Sequence, residues 1–334
     1  MRTFKRIIAL LMAAALIFAL AACGSEAEKT GTVVTESTTS DEREVKTQVA
    51  ALFGPTGMGL AKLKEDRGYG YTVEYYSDPQ EVVPLIVQGK VDIAALPLNL
   101  AANLYKKTQG GIQILAINTL GILHVLQRGD KTVKSVADLK GKTLYATGEG
   151  ATPQYTLDYI LEKNGLDPKT DVNIVYLSTH GELATKAAEG GVDLCVLPEP
   201  FASKVVYEHE EWSEVLDITE EWNKVSSAKL ALGCIVARRE YVEKNPDIIS
   251  EFMTFNEVSV NWVNSSISAG YLLIKHGYFE DYDLAMATIP GCNIVFISGE
   301  EMKTIAEENF AVLYEAAPES VGGSVPDEGI YYLG

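Results

Sequence analysis

The chain has 334 residues, enough for two domains, and is 47% apolar and 22% charged, the balance of an ordinary soluble globular protein. Its formal charge of −18 argues against nucleic acid or an acidic membrane surface as a partner.

The N-terminus departs from that balance. Arg2, Lys5 and Arg6 precede an uninterrupted apolar run from Ile7 to Ala22, the layout of a secretory signal over residues 1–22. The run is short for a membrane span and ends in small residues. It closes on Leu20-Ala21-Ala22-Cys23-Gly24, which looks like a bacterial lipobox with cleavage before Cys23. Lipidation of Cys23 would tether the mature protein to the outer face of the cytoplasmic membrane, in an extracytoplasmic location. Residues 23–44 are rich in Ser, Thr and Glu with almost no apolar content, so a disordered tether is expected there.

The chain is organised around Val49–Leu63, VAALFGPTGMGLAKL. A short apolar run breaks at Gly54-Pro55-Thr56-Gly57, and Met58, Leu60, Ala61 and Leu63 then repeat at helical spacing. This predicts a buried strand, a glycine turn, and a helix whose N-terminal N–H groups suit a polar or anionic ligand group. A strand Tyr71–Tyr76, a helix Gln80–Gln88, the segment Gly89–Asn99, a helix Leu100–Thr108 and strands Ile112–Asn118 and Leu123–Gln127 follow.

The pattern then repeats. Thr143–Ala146 is a strand, Gly148–Pro153 a glycine turn, Pro153–Asn164 a helix, Val172–Leu177 a strand and Glu182–Glu189 a helix. Gly190–Pro200 echoes Gly89–Asn99 at Gly89/Gly190, Val91/Val192, Asp92/Asp193, Leu96/Leu197 and Pro97/Pro198. This is an internal repeat of strand–turn–helix units. Asp92 and Asp193 read as structural. Each unit implies a mainly parallel sheet covered by helices, with ligand loops at the carboxyl ends of the strands. Leu230–Ala237 suits a strand returning to the first unit, helices are expected at Pro246–Val263, Ala269–Lys275 and Gly299–Ala316, and Ile294–Ile297 is a short strand. The tail Ile330–Leu333 is expected to pack on the first unit. Cys195, Cys234 and Cys292 are odd in number and far apart, so buried thiols are expected rather than a disulfide framework or a metal site.

Lipobox, tether and doubled α/β unit together resemble the substrate-binding lipoproteins of bacterial ABC importers. The likeness is to the branch that includes taurine, aliphatic-sulfonate and nitrate binders and the pyrimidine-precursor binders of thiamine salvage. Asp138-Leu139-Lys140-Gly141-Lys142-Thr143 matches the segment opening the second lobe in that branch, and Leu197-Pro198-Glu199-Pro200-Phe201 resembles one of its ligand loops. Gly54–Gly59 and Leu96–Leu100 resemble a subgroup of these lipoproteins. The resemblance implies an α/β, two-lobed type II periplasmic-binding-protein fold. Lobe one would comprise residues 45–125 and 237–334, lobe two residues 126–236, and the crossings a hinge. It further implies a small-molecule ligand held between the lobes, a permease and ATPase as partners, a monomer, and no cofactor.

An enzyme is the rival class. There is no G-x-S-x-G, H-E-x-x-H or paired C-x-x-C, and Gly141-Lys142-Thr143 lacks the first glycine of a phosphate-binding loop, since Val136 stands there. Fungal pyrimidine-precursor synthases resemble the chain in fold only. A ligand-sensing lipoprotein is a further alternative that would use the same fold.

The candidate loops hold hydroxyls, amides, glycines and aromatics but no Lys or Arg, which shifts the odds toward a neutral or weakly basic ligand without excluding a sulfonate. From lobe one the candidate ligand contacts are Gly54, Thr56, Gly57, Met58, Asn99 and Thr119. From lobe two they are Gly150, Thr152, Tyr155, His180, Glu199 and Phe201. Glu199 can accept from an amino-pyrimidine, His180 can donate or accept, and Tyr155 and Phe201 can stack on a planar ring. Each has a plain alternative: turn capping for Asn99 and Thr119, packing for the aromatics, an exposed acid for Glu199 and a satisfied loop histidine for His180. Trp222 is a weaker candidate, better read as packing.

Overall fold

The computed structural model describes residues 47–66 and 70–334. The signal segment, Cys23 and the tether lie outside the described residues. Among the described residues no helix is long and apolar enough to cross a membrane.

The strands are β1 (Thr47–Leu52), β2 (Tyr71–Tyr76), β3 (Ile93–Pro97), β4 (Ile112–Leu120), β5 (Leu123–Arg128), β6 (Thr143–Thr147), β7 (Asn173–Leu177), β8 (Leu194–Pro198), β9 (Trp212–Asp217), β10 (Ala231–Arg238) and β11 (Ile294–Ile297). They form a six-stranded sheet in the order β11-β4-β10-β3-β1-β2 and a five-stranded sheet in the order β7-β6-β8-β5-β9. Each sheet is the heart of one lobe of an α/β fold. Both place the second strand of the repeat outside the first and the third inside it, so the sequence echo is also a topological one.

The sheets are mixed rather than mainly parallel. β1 runs parallel to β2 and β3, and β6 to β7 and β8, because helices cross over between them. β10 is antiparallel to β3 and β4, and β5 to β8 and β9. These antiparallel pairs come from the exchange of strands between lobes. β5 lies wholly in the second sheet and β10 wholly in the first, so the sheets set the crossings near Gly121–Ile122 and in the 226–230 segment. Both fall a few residues before the 125/126 and 236/237 divisions read from the sequence.

The central strands are apolar along their whole length because helices cover both faces. Val49, Ala50 and Ala51 of β1 and Ile93 to Leu96 of β3 are almost fully buried. Asp92 is structural: its Oδ2 accepts from Gln48 N at 2.9 Å, and Arg238 Nη2 donates to Oδ1 at 2.7 Å. Tyr331 is buried beside Ile114, and Tyr332 N donates to the Ile114 carbonyl, which fixes the tail on the first sheet. Cys195, Cys234 and Cys292 are buried free thiols, and burial pushes the Cys195 thiol up to about 12.

Candidate functional site

The carboxyl ends of β1, β3, β6 and β8 face one another between the lobes. After β1 the chain turns at Gly54, whose φ of 108° suits only glycine. It then enters the short helix Pro55–Met58. A Cβ at Gly57 would lie 2.0 Å from the Leu52 carbonyl and 2.7 Å from the Tyr278 hydroxyl, so the close return of the chain requires glycine there. Asn118, at the end of β4, donates to the Thr56 carbonyl at 2.7 Å and fixes this turn. The Thr56 side chain is half-buried.

Met58 is a correction. Its side chain is fully buried in a cluster with Val260, Leu273, Phe279 and Ile294, so it serves the core instead of the cleft. Thr119 is likewise fully buried, and its hydroxyl donates to Asn118 Oδ1 at 3.2 Å. Trp222 is also core: its indole donates to the Ala228 carbonyl at 2.7 Å.

Asn99 and Thr152 were expected on opposite sides of the cleft. They meet: Thr152 Oγ1 donates to Asn99 Oδ1 at 2.9 Å, with both side chains buried. Thr152 is the first residue of the helix Thr152–Lys163, where Pro153 needs no hydrogen-bond donor. Tyr155, one turn on, packs against the core of the first lobe, and the same helix rests on Gly299–Ala316 of that lobe. The lobes are thus in direct contact along one flank. Gly150 is exposed, and its N–H donates to Gln154 Oε1 at 2.7 Å, closing the loop on its own helix.

His180 opens the helix His180–Ala188, and its Nδ1 lies 2.6 Å from Thr147 Oγ1 at the end of β6. Burial holds the imidazole down to about 4, so it is neutral at pH 7. Phe201, first residue of the helix Phe201–Glu208, stands 5.6 Å from the His180 ring at 45°. These two rings pack together at the carboxyl ends of β6 and β8.

Glu199 is buried, with only 5% of its surface exposed. Ser203 satisfies it twice, through its N–H to Oε2 at 3.1 Å and its hydroxyl to Oε1 at 2.8 Å. Burial pushes this carboxyl up, while Ser203 and His124 act against that. Glu199 also reaches the first lobe, since a Cβ at Gly291 would lie 3.2 Å from its Oε1. With Ser203, Tyr207 and Glu214 it lines a pocket of about 240 Å³ that Leu284 and Thr288 of the first lobe close.

Two groups escaped the sequence reading. Phe53, 45% exposed at the end of β1, leads an aromatic set with Tyr75 and Tyr278, with ring centroids 5.3–5.5 Å apart. An aromatic residue directly before a strand-end glycine was the available signal. His124 sits on β5 beside Glu199, and a lone histidine in an apolar strand was its only mark.

Comparison with known proteins fits this geometry. Residues 44–256 match the family described as ABC transporter, phosphonate, periplasmic substrate-binding protein. The YtlA protein of Bacillus subtilis (strain 168) is 24% identical over 272 residues, covering 80% of this chain and 76% of YtlA. A crystal structure of an ABC transporter from Parabacteroides distasonis is 25% identical, with a TM-score of 0.74 over 86% of this chain and 99% of that one. The periplasmic aliphatic sulphonate binding protein SsuA of Escherichia coli shares the fold at 17% identity, with a TM-score of 0.69 over 86% of this chain and 91% of SsuA.

Proposed function

The chain belongs to the phosphonate periplasmic substrate-binding protein family of ABC transporters, and on that premise we propose that it captures a small organic oxyanion between its lobes and delivers it to a permease and its ATPase. The observation that carries this reading is the Asn99–Thr152 hydrogen bond, a contact that exists only when the two lobes are together. Solute binding would favour that closed form, and the permease would read it. No chemistry is needed.

The oxyanion class draws support from the phosphonate in the family's description and the sulphonate in the name of SsuA. In this chain the first-turn N–H groups of Thr56 and Thr152 and the Thr56 hydroxyl can hold an oxyanion without Lys or Arg. Glu199 is engaged by Ser203 and faces His124, so it is assigned to the protein's own side chains and not to an amine ligand. Gly54, Thr56, His180 and Phe201 are the proposed contacts, with Asn99 and Thr152 as the latch, while Gly57 and Gly150 shape the turns, their N–H groups donating to the Gly54 carbonyl and to Gln154 Oε1. A planar amine, such as a pyrimidine precursor of thiamine, is the second reading, favoured by the His180–Phe201 ring pair. In this reading the lipobox-like segment ending at Cys23 would tether the protein, acting as a monomer, to the outer face of the cytoplasmic membrane.

Native mass spectrometry of the full chain purified from rich medium, followed by thermal shifts with methylphosphonate, ethanesulfonate and an aminopyrimidine, tests the reading. A retained or stabilising oxyanion is the expected result. Stabilisation by the aminopyrimidine alone would overturn the ligand class in favour of the second reading.

A further inference from the structure

Beside the cleft, the second sheet gathers a set of donors that solute capture does not use. His124 of β5 stands opposite Asp217 of β9 in the strand register. Its residue is 8% exposed, and neither Nδ1 nor Nε2 has a hydrogen-bond partner. Carboxylates nevertheless flank both nitrogens: Glu214 Oε1 lies 3.0 Å from Nδ1 and Glu199 Oε1 lies 3.6 Å from Nε2. The 3.0 Å approach is close enough for an ion pair but lacks the direction of a hydrogen bond. One donor atom from each of His124, Glu214 and Asp217 falls within 4.8 Å of the others.

Left as they stand, these groups are costly. The buried imidazole has lost its water and gained in exchange the ion-pair approach of Glu214, without a well-directed hydrogen bond at either nitrogen. Three carboxylates face at most one imidazolium, and among the described residues no Lys or Arg pairs with Glu199, Glu214 or Asp217. The set therefore carries excess negative charge around a nitrogen ligand.

We propose that His124, Glu214 and Asp217 bind a divalent transition-metal ion of the zinc or manganese type, with Glu199 orienting the imidazole from its far side. Imidazole with carboxylates suits these ions, whereas calcium and magnesium prefer all-oxygen shells. Metal–ligand bonds of about 2.0–2.2 Å place two donors on one ion at most about 4.4 Å apart. The 4.8 Å spread is a few tenths of an ångström beyond that limit, so a small side-chain movement closes it, and Glu214, whose side chain is 47% exposed, gives the ion its way in. A carboxylate behind a metal-bound histidine is the usual means of fixing its ring, and Glu199, itself anchored by Ser203, stands in that place. The ion would tie β5, the first strand after the outward crossing, to β9, the last before the return. Asp217 also caps the helix Ile218–Val225, whose Thr219 abuts Gly121 in the outward crossing. The site would thus stiffen the second lobe next to the hinge, whichever solute the cleft takes.

The test is titration calorimetry with zinc chloride and, separately, manganese chloride on the untagged full chain, stripped with chelator and desalted. One equivalent of zinc should bind saturably and raise the melting temperature, with manganese weaker, as the usual affinity order requires. Glu214→Gln changes a half-exposed strand position and should fold normally, yet weaken zinc binding by about tenfold or more. His124→Gln should lose the site. Absence of saturable zinc binding by the wild type overturns the proposal. So does zinc binding that both variants leave unchanged, which would put the metal elsewhere. No oxyanion enters the titration, so its outcome is separate from that of solute capture.

Discussion

Thr152 and Asn99 bury their polar atoms against each other, so each satisfies the other only while the lobes are closed. Thr152→Val keeps the shape and removes the hydroxyl, leaving Asn99 Oδ1 without this donor in the closed form. Solute affinity measured by calorimetry should fall by about 1–3 kcal/mol, and an unchanged affinity would show that the pair is not the latch. Met58→Ala should behave in the opposite way. It opens a cavity in the core, costing about 2–5 kcal/mol in urea unfolding, while the folded fraction binds solute as before. His180 supplies a pH dependence. Its imidazole titrates at about 4 in the fold against 6.5 when free, so the unfolded chain takes up a proton that the folded one refuses. This contribution is complete above pH 6.5 and is lost as pH falls toward 4. The melting temperature should drop across that window, and His180→Gln should flatten the drop. Which residues stand at strand ends was legible in the sequence. What they touch was not, because Asn99 meets Thr152, and His124 meets Glu199, Glu214 and Asp217, only through pairings between distant segments.

At the scale of elements, the turn after β1 depends on a missing side chain. Gly57→Ala would drive a Cβ against the Leu52 carbonyl, a backbone atom that cannot rotate away. Overpacking of this kind should cost about 1–3 kcal/mol, visible as a lower urea midpoint at an unchanged slope. A midpoint equal to that of the wild type would mean that the turn yields freely. Elements with strong punctuation were readable: Asp78 caps the helix Pro79–Val87 by accepting from Gln80 N at 2.8 Å, and Ala269–Lys275 and Gly299–Ala316 have the bounds their periodicity predicts. The region after Pro200 was not. Phe201–Glu208, β9 and Ile218–Val225 carry charged residues through both helices and strand, which blurs the apolar period, and their order is set by packing on the second sheet.

The whole molecule is two lobes built on one repeated plan, with β5 and β10 exchanged between them. The repeat was legible because Gly, Asp and Pro recur at matched positions. The exchange leaves no mark in the sequence, since an apolar strand looks the same in either sheet. Two crossings of this kind permit a hinge, and the proposed closed form is the one in which Asn99, Tyr155 and Glu199 make their inter-lobe contacts. The most direct test of closure is a distance across the cleft in the full chain, measured by pulsed electron resonance. Nitroxides would be placed at Ser77 and Glu149, both exposed and on opposite lobes, in a Cys23→Ser background with the buried thiols left in place. With a stabilising phosphonate or sulfonate added, the distance should shorten to a single narrow population. A distribution that the saturating solute leaves unchanged would contradict capture by closure.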